Sequence, residues 1–121
     1  VNSIKKMLKE VMFGFVPLYF FRQAESGFPR LVYDVKQIYT DEPYNKFIVT
    51  CNLYDRNTTD EIDSIADEIN EQIGLAIIEH EKNYYKFYKS DDRQYIDETD
   101  KSIKRIMFTL ELREYKRKDE K

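Results

Sequence analysis

The sequence predicts an α+β fold: a single antiparallel β-sheet packed by two helices, in the order α-β-β-β-α-β-β. Three stretches carry this. In residues 46–55, Phe47, Val49, Cys51 and Leu53 alternate with Lys46, Thr50 and Asn52, the period of a strand with one buried face. In residues 58–73 the period changes, and Ile62, Ile65, Ala66, Ile69 and Ile73 form one stripe of an α-helix. Near the end, Ile106, Phe108, Leu110 and Leu112 alternate with Met107, Thr109, Glu111 and Arg113. Half-buried strands beside an amphipathic helix imply helices laid on one face of a sheet.

In chain order, Asn2 or Ser3 caps a first helix whose stripe is Ile4, Met7, Leu8 and Val11, and Gly14 ends it. Pro17 opens a short strand over residues 18–22, since proline is tolerated at a strand's first position. A polar loop with Gly27 follows, and Pro29 restarts the chain as a second strand over 30–40. Residues 41–45, Asp-Glu-Pro-Tyr-Asn, form a turn that closes an antiparallel hairpin onto the 46–55 strand. The helix start carries a capping box, Thr58 accepting from the Glu61 N–H while the Glu61 carboxylate reaches back. Gly74 stands where a left-handed C-cap belongs. The stripe isoleucines stabilise the fold by about 6–12 kcal/mol if fully buried, an upper bound because the unfolded chain is partly collapsed.

Beyond Gly74, residues 75–81 either extend the helix or form a second short one. Tyr84, Phe87 and Tyr88 predict a fourth strand by β-propensity. Residues 89–101 read as a polar loop rich in acids, and residues 115–121 as a charged end that frays. At 121 residues the chain suits one domain over 1–115, with a flexible tail over 116–121.

Composition narrows the class. A hydrophobic share of 41% with 15% aromatics argues against wholesale disorder despite 36% charged residues. A net charge of −3 gives no global field favouring nucleic acid. The lone Cys51 sits on the apolar face of its strand and fits a reducing compartment as a small buried hydrophobe. Residues 11–21 are apolar but broken by Gly14 and Pro17, so neither a membrane span nor a signal peptide is expected.

Chemistry-bearing patterns are weak. His80, the single histidine, lies between Glu79 and Glu81, and an exposed polar residue is its default reading. The acids of 91–100 lack the order of a calcium loop. Asp34-Val-Lys36 offers a nuclease-like fragment, but such a triplet arises by chance in an alternating strand. Three glycines form no phosphate-cradling loop. The expectation is a protein that is not an enzyme and carries no metal or cofactor.

Aromatic residues and charge are more informative. Ten tyrosines and eight phenylalanines exceed what a core of this size hides, and tyrosine is enriched at interfaces. Phe13, Phe15, Phe20, Phe21 and Phe28 crowd one segment, either as a core wall or as a surface for a partner. Residues 58–73 hold acids and no lysine or arginine, whereas residues 101–121 are rich in both. Such segregation is ordinarily solvent-facing charge, but unlike patches on one domain also suit a head-to-tail contact. The candidate interface residues are Phe13, Phe15, Phe28, Tyr84, Tyr88, Asp67, Glu71, Arg113 and Lys116.

The order of these features resembles a known family over nearly the whole chain. A short N-terminal helix precedes Pro17-Leu-Tyr-Phe, and Phe28-Pro-Arg-Leu-Val-Tyr33 enters the second strand. A strand of the 47–54 type runs through Asp-Arg-Asn into a helix, and Tyr95-Ile-Asp-Glu-Thr-Asp100 precedes the closing strand over 104–113. In this the chain is similar to the tail terminator (tail completion) proteins of long-tailed bacteriophages and prophage-derived tails. The resemblance implies a structural virion protein that forms a ring, usually a hexamer, and caps the tail tube. Its implied partners are copies of itself, the tail tube protein and a head-completion or neck protein, with DNA passing through unread. Its implied place is the virion tail, or the bacterial host cytoplasm during assembly, without membrane. A head-completion or neck protein is the near neighbour. The alternative from another class is a small nucleic-acid-binding domain using Tyr84, Tyr85, Phe87, Tyr88 and flanking lysines. A metal-dependent enzyme is third.

Overall fold

The computed structural model describes residues 4, 6–8, 30–73, 77–90 and 92–116. Its elements are β1 (Arg30–Ile38), β2 (Asn45–Arg56), a central helix (Asp60–Ile73), β3 (Ile77–His80), β4 (Asn83–Lys89), β5 (Gln94–Asp97) and β6 (Ile103–Lys116). Ile4 and residues 6–8 are helical as well. The strands form one antiparallel sheet in the order β1-β2-β6-β4-β3, with β5 also paired to β6. The α+β class and the β1–β2 hairpin therefore match the sequence expectation.

β6 is the spine. One edge pairs with β2 from Ile103 to Glu114, and the other is shared by β4 and β5. Its alternation divides the molecule into two faces. Ile106, Phe108, Leu110 and Leu112 are buried, as are Phe47, Val49, Cys51 and Leu53 on β2 and Phe87 on β4. The register lines them up across strands: Leu31, Leu53 and Ile106 make one row, and Phe47, Leu112 and Phe87 another. Ile62, Ile65, Ala66 and Ile69 of the central helix join the same core, together with Ile4, Met7 and Leu8. Burial pushes the Cys51 thiol up to about 12, so it stays protonated and packs as an apolar group.

The local connections explain where the sequence expectation shifts. Thr58 Oγ1 accepts from the Asp60 N–H at 2.9 Å, one residue earlier than the predicted Glu61 donor. Asn57 turns the chain from β2 into the helix with φ at 74°, a conformation asparagine tolerates. Residues 77–80, expected to be helical, form β3. The β-branched pair Ile77 and Ile78 favours strand, and a two-residue turn at Glu81 and Lys82 closes a hairpin onto β4. Glu81 has φ at 58°, a position usually held by glycine.

The expected acidic loop over 89–101 contains β5. Lys89 pairs with Leu110 and Gln94 with Met107, so only Phe108 and Thr109 of β6 separate the two pairings, and Ser90, Asp92 and Arg93 lie in a bulge between β4 and β5. Asp92 fills the gap, accepting from the Thr109 N–H at 3.0 Å and from its hydroxyl at 2.6 Å. Burial pulls the Asp92 carboxyl upward, but the hydrogen bonds from Thr109 and Ser90 outweigh it and hold the carboxyl below its ordinary value. β6 continues through Lys116, so Tyr115 and Lys116 belong to the sheet and not to a frayed tail. Backbone pairing with β4 holds them there. The predicted strand over 18–22, with Val11, Gly14, Gly27 and Gly74, lies outside the described residues.

At one end of the sheet Glu114, 8% exposed, is buried on the core face. It accepts from Asn45 Nδ2 at 2.9 Å, Asn83 Nδ2 at 3.2 Å and the Tyr85 hydroxyl at 2.8 Å. These donors satisfy a carboxylate that would otherwise be costly to bury. Burial, reinforced by the neighbouring Glu114 against an opposing Asn83 hydrogen bond, pushes the Tyr85 hydroxyl up to about 12.

Two stability outcomes follow from this geometry. Glu81→Gly relieves a left-handed residue and raises the unfolding free energy by about 1 kcal/mol in urea titration. Asp92→Ala lowers it by about 1.5–3 kcal/mol at pH 7, the cost of a lost charged hydrogen bond. Because the folded carboxyl lies below its ordinary 3.8, that stabilisation is complete above 3.8 and is lost as pH falls through the folded value. The gap between wild type and Asp92→Ala therefore closes in acid titration.

Candidate protein–protein interface

The alternation that sends Phe108, Leu110 and Leu112 toward the helix sends Thr109, Glu111, Arg113 and Tyr115 to the opposite face. β4 follows the same rule: Tyr85 and Phe87 are buried, while Tyr84 and Lys86 are exposed and Tyr88 is half-buried. β2 adds Lys46, Ile48, Thr50, Asn52 and Tyr54 to this outer face, all half-buried. The helices of the described residues contribute to the core on the other side.

Arg113 is the centre of the outer face. Its guanidinium lies 4.7 Å from the Tyr44 ring centroid and 4.2 Å from that of Tyr88. Its Nε donates to Glu111 Oε2 at 2.6 Å, and this hydrogen bond holds the guanidinium above its ordinary value. Lys46, directly opposite Arg113 in the register, reaches the other Glu111 oxygen at 3.9 Å. One carboxylate thus offsets two neighbouring cations. Tyr115 packs against Tyr44 with the rings tilted at 53° and their centroids 5.4 Å apart, and Lys86 sits 5.2 Å from the Tyr88 centroid. Further along, Arg105 lies 5.6 Å from the Tyr54 centroid, donates to Asn52 Oδ1 at 2.9 Å and pairs with Glu98 at 3.1 Å. The face thus carries two groups of rings and cations, one around Arg113 and one around Arg105. Each cation–π contact contributes about 0.5–1 kcal/mol at an exposed site.

The opposite layer presents acid. Asp60, Glu61, Asp67, Glu68 and Glu71 are exposed on the central helix. Arg93, leaving the bulge, bonds Asp63 at 3.1 Å and Asp67 at 2.7 Å, and the Tyr95 hydroxyl donates to Asp63 at 2.7 Å. Burial works against the Arg93 charge, but the hydrogen bonds and charge interactions of Asp67 and Tyr95 together outweigh it and raise its pKa. This cluster clips the helix flank to the start of β5.

Among the predicted interface residues, Tyr84, Tyr88 and Arg113 come together on the outer face, with Tyr84 opposite Tyr115. Asp67 and Glu71 lie on the helix in the other layer. Lys116 is exposed at the end of β6, but its position in the alternation places it on the helix side, away from Arg113. Phe13, Phe15 and Phe28 lie outside the described residues. The alternative nucleic-acid surface loses Tyr85 and Phe87 to the core, leaving Tyr84, Lys86 and Tyr88. The candidate interface residues leave out Tyr44, Tyr115, Lys86 and Arg105, although Lys86 is one of the flanking lysines of the alternative surface. The parity of β6 and β4 is the signal that finds the last three, and only the hairpin register brings Tyr44 alongside.

His80 lies in β3 and Asp34 and Lys36 on the exposed side of β1. Among the described residues no group of three or more histidine, cysteine, aspartate or glutamate side chains is placed to hold a metal ion. No helix among them is long and apolar enough to cross a membrane. Comparison of the chain with protein families, curated proteins and solved structures gives no match.

Arg113→Ala removes both ring contacts and leaves Glu111 to Lys46. The expected result is a folded protein, by circular dichroism, that is about 1–2 kcal/mol less stable in denaturant titration.

Proposed function

We propose that this chain is a structural assembly protein, the subunit of a tail terminator ring that caps a phage or prophage tail tube and joins it to the head. The observation that carries the assembly reading is the outer sheet face, where Tyr44, Tyr88, Tyr115 and Arg113 are held in fixed mutual contact while remaining accessible. Tyrosine and arginine are the residues that most often dominate binding energy at protein interfaces. Rings already stacked on a guanidinium lose little rotamer freedom on docking, which removes part of the usual cost of association. The virion assignment rests on the family resemblance of the sequence. Its partners are other copies of the chain, the tail tube protein and a neck protein, with DNA crossing the ring without base recognition.

Negative-stain electron microscopy of the concentrated protein, alone and added to tail tubes that lack a terminator, tests this reading. The expected images show ring-sized particles or tubes closed at one end. A gel-shift titration with single-stranded DNA tests the competing surface formed by Tyr84, Lys86 and Tyr88. Salt-sensitive micromolar binding without particles overturns the assembly reading in favour of nucleic-acid binding.

A further inference from the structure

We infer that the outer sheet face of one copy docks on the central-helix face of the next, so that copies associate head to tail. This rests on the assembly reading and assigns its two surfaces; the partner is a second copy of this chain. Charge complementarity carries it. The sequence of the central helix contains no lysine or arginine, and its last turn contains no basic residue. Glu71 sits in that last turn, where the helix dipole disfavours an acid and favours a cation. Arg93 serves the Asp63 and Asp67 flank, while Asp60, Glu68 and Glu71 remain exposed. On the outer sheet face the balance is reversed. Lys36, Lys46, Arg56, Lys86, Arg105 and Arg113 outnumber Asp34, Glu79, Glu98 and Glu111; Glu98 is paired with Arg105 and Glu111 with Arg113 and Lys46, which leaves Lys36 and Lys86 as the exposed cations of β1 and β4.

The two-layer fold sets the geometry. The acidic helix and the cationic sheet face look in opposite directions, because the core residues of β2, β4 and β6 lie between them. A two-fold contact would bring acid to acid or cation to cation. A heterologous contact brings cation to acid at every joint, and such contacts close into a ring when the rotation permits.

Two surface variants test the inference: Glu68→Lys with Glu71→Lys on the helix, and Lys36→Glu with Lys86→Glu on the sheet. All four positions are exposed and lie outside the Arg93 cluster. Sedimentation equilibrium is run from micromolar to millimolar protein at low and physiological salt, after circular dichroism has verified the fold. Wild type is expected to self-associate more tightly at low salt. Each variant alone should weaken association at least tenfold. An equimolar mixture should recover it, because each reversed face then meets its complement on the other variant. Association that neither reversal changes overturns the face assignment and leaves the assembly reading standing. A wild type that stays monomeric at millimolar concentration and low salt overturns both. Loss in both variants without recovery on mixing also rejects the pairing of these two faces.

Discussion

The strict alternation of β6 is the constraint on which the rest depends. Over fourteen residues each side chain belongs either to the core or to the outer face, and both neighbouring edges inherit that division through the register. A slip of one residue would expose Phe108, Leu110 and Leu112 and bury Glu111 and Arg113. The fold guards against this at the end of the strand. Glu114 meets donors from β2 and β4 in one register only, so a buried carboxylate that adds little net stability selects the pairing.

The second guard is the bulge opposite Phe108 and Thr109. Without it, β4 and β5 would run as one strand along β6. Asp92 replaces the missing backbone partner of the Thr109 N–H, and the extra residues redirect the chain so that Arg93 and Tyr95 reach the helix. The polar residues of this region thus tie the sheet to its covering layer beside the apolar packing of Ile62, Ile65 and Ile69.

These features explain what the sequence discloses and what it hides. The strands over 46–55 and 106–113 and the stripe through Ile62, Ile65 and Ile69 are legible because one-sided burial imposes a period. Ile4, Met7 and Leu8 are legible for the same reason. The β3–β4 hairpin is hidden because Glu81 occupies the left-handed turn position, where glycine would have marked it. β5 is hidden because an exposed strand of four residues leaves almost no alternation, and its acids read as loop although Asp92 is a structural hydrogen-bond acceptor. At the candidate interface, parity separates Arg113 from Lys116 and Tyr84 from Tyr85. Charge and aromatic content had grouped them without regard to face.

The face that results is suited to being covered. An arginine entering an interface alone would bring an uncompensated charge out of water. Arg113 enters already paired with Glu111 and flanked by two rings, so the desolvation cost is largely met within the subunit. Affinity can then come from apolar contact with the tyrosine rings, which do not distinguish one partner orientation from another. Orientation must come from the surrounding charges. Lys36 and Lys86 on one layer and Glu68 and Glu71 on the other are exposed, so in the contact proposed above they would act mainly on the rate of encounter and on rejection of like-facing pairs. A domain that gathers Tyr44, Tyr88 and Tyr115 around Arg113 on one side and presents an acidic helix on the other therefore carries its own polarity, and a polar subunit is what directional assembly requires.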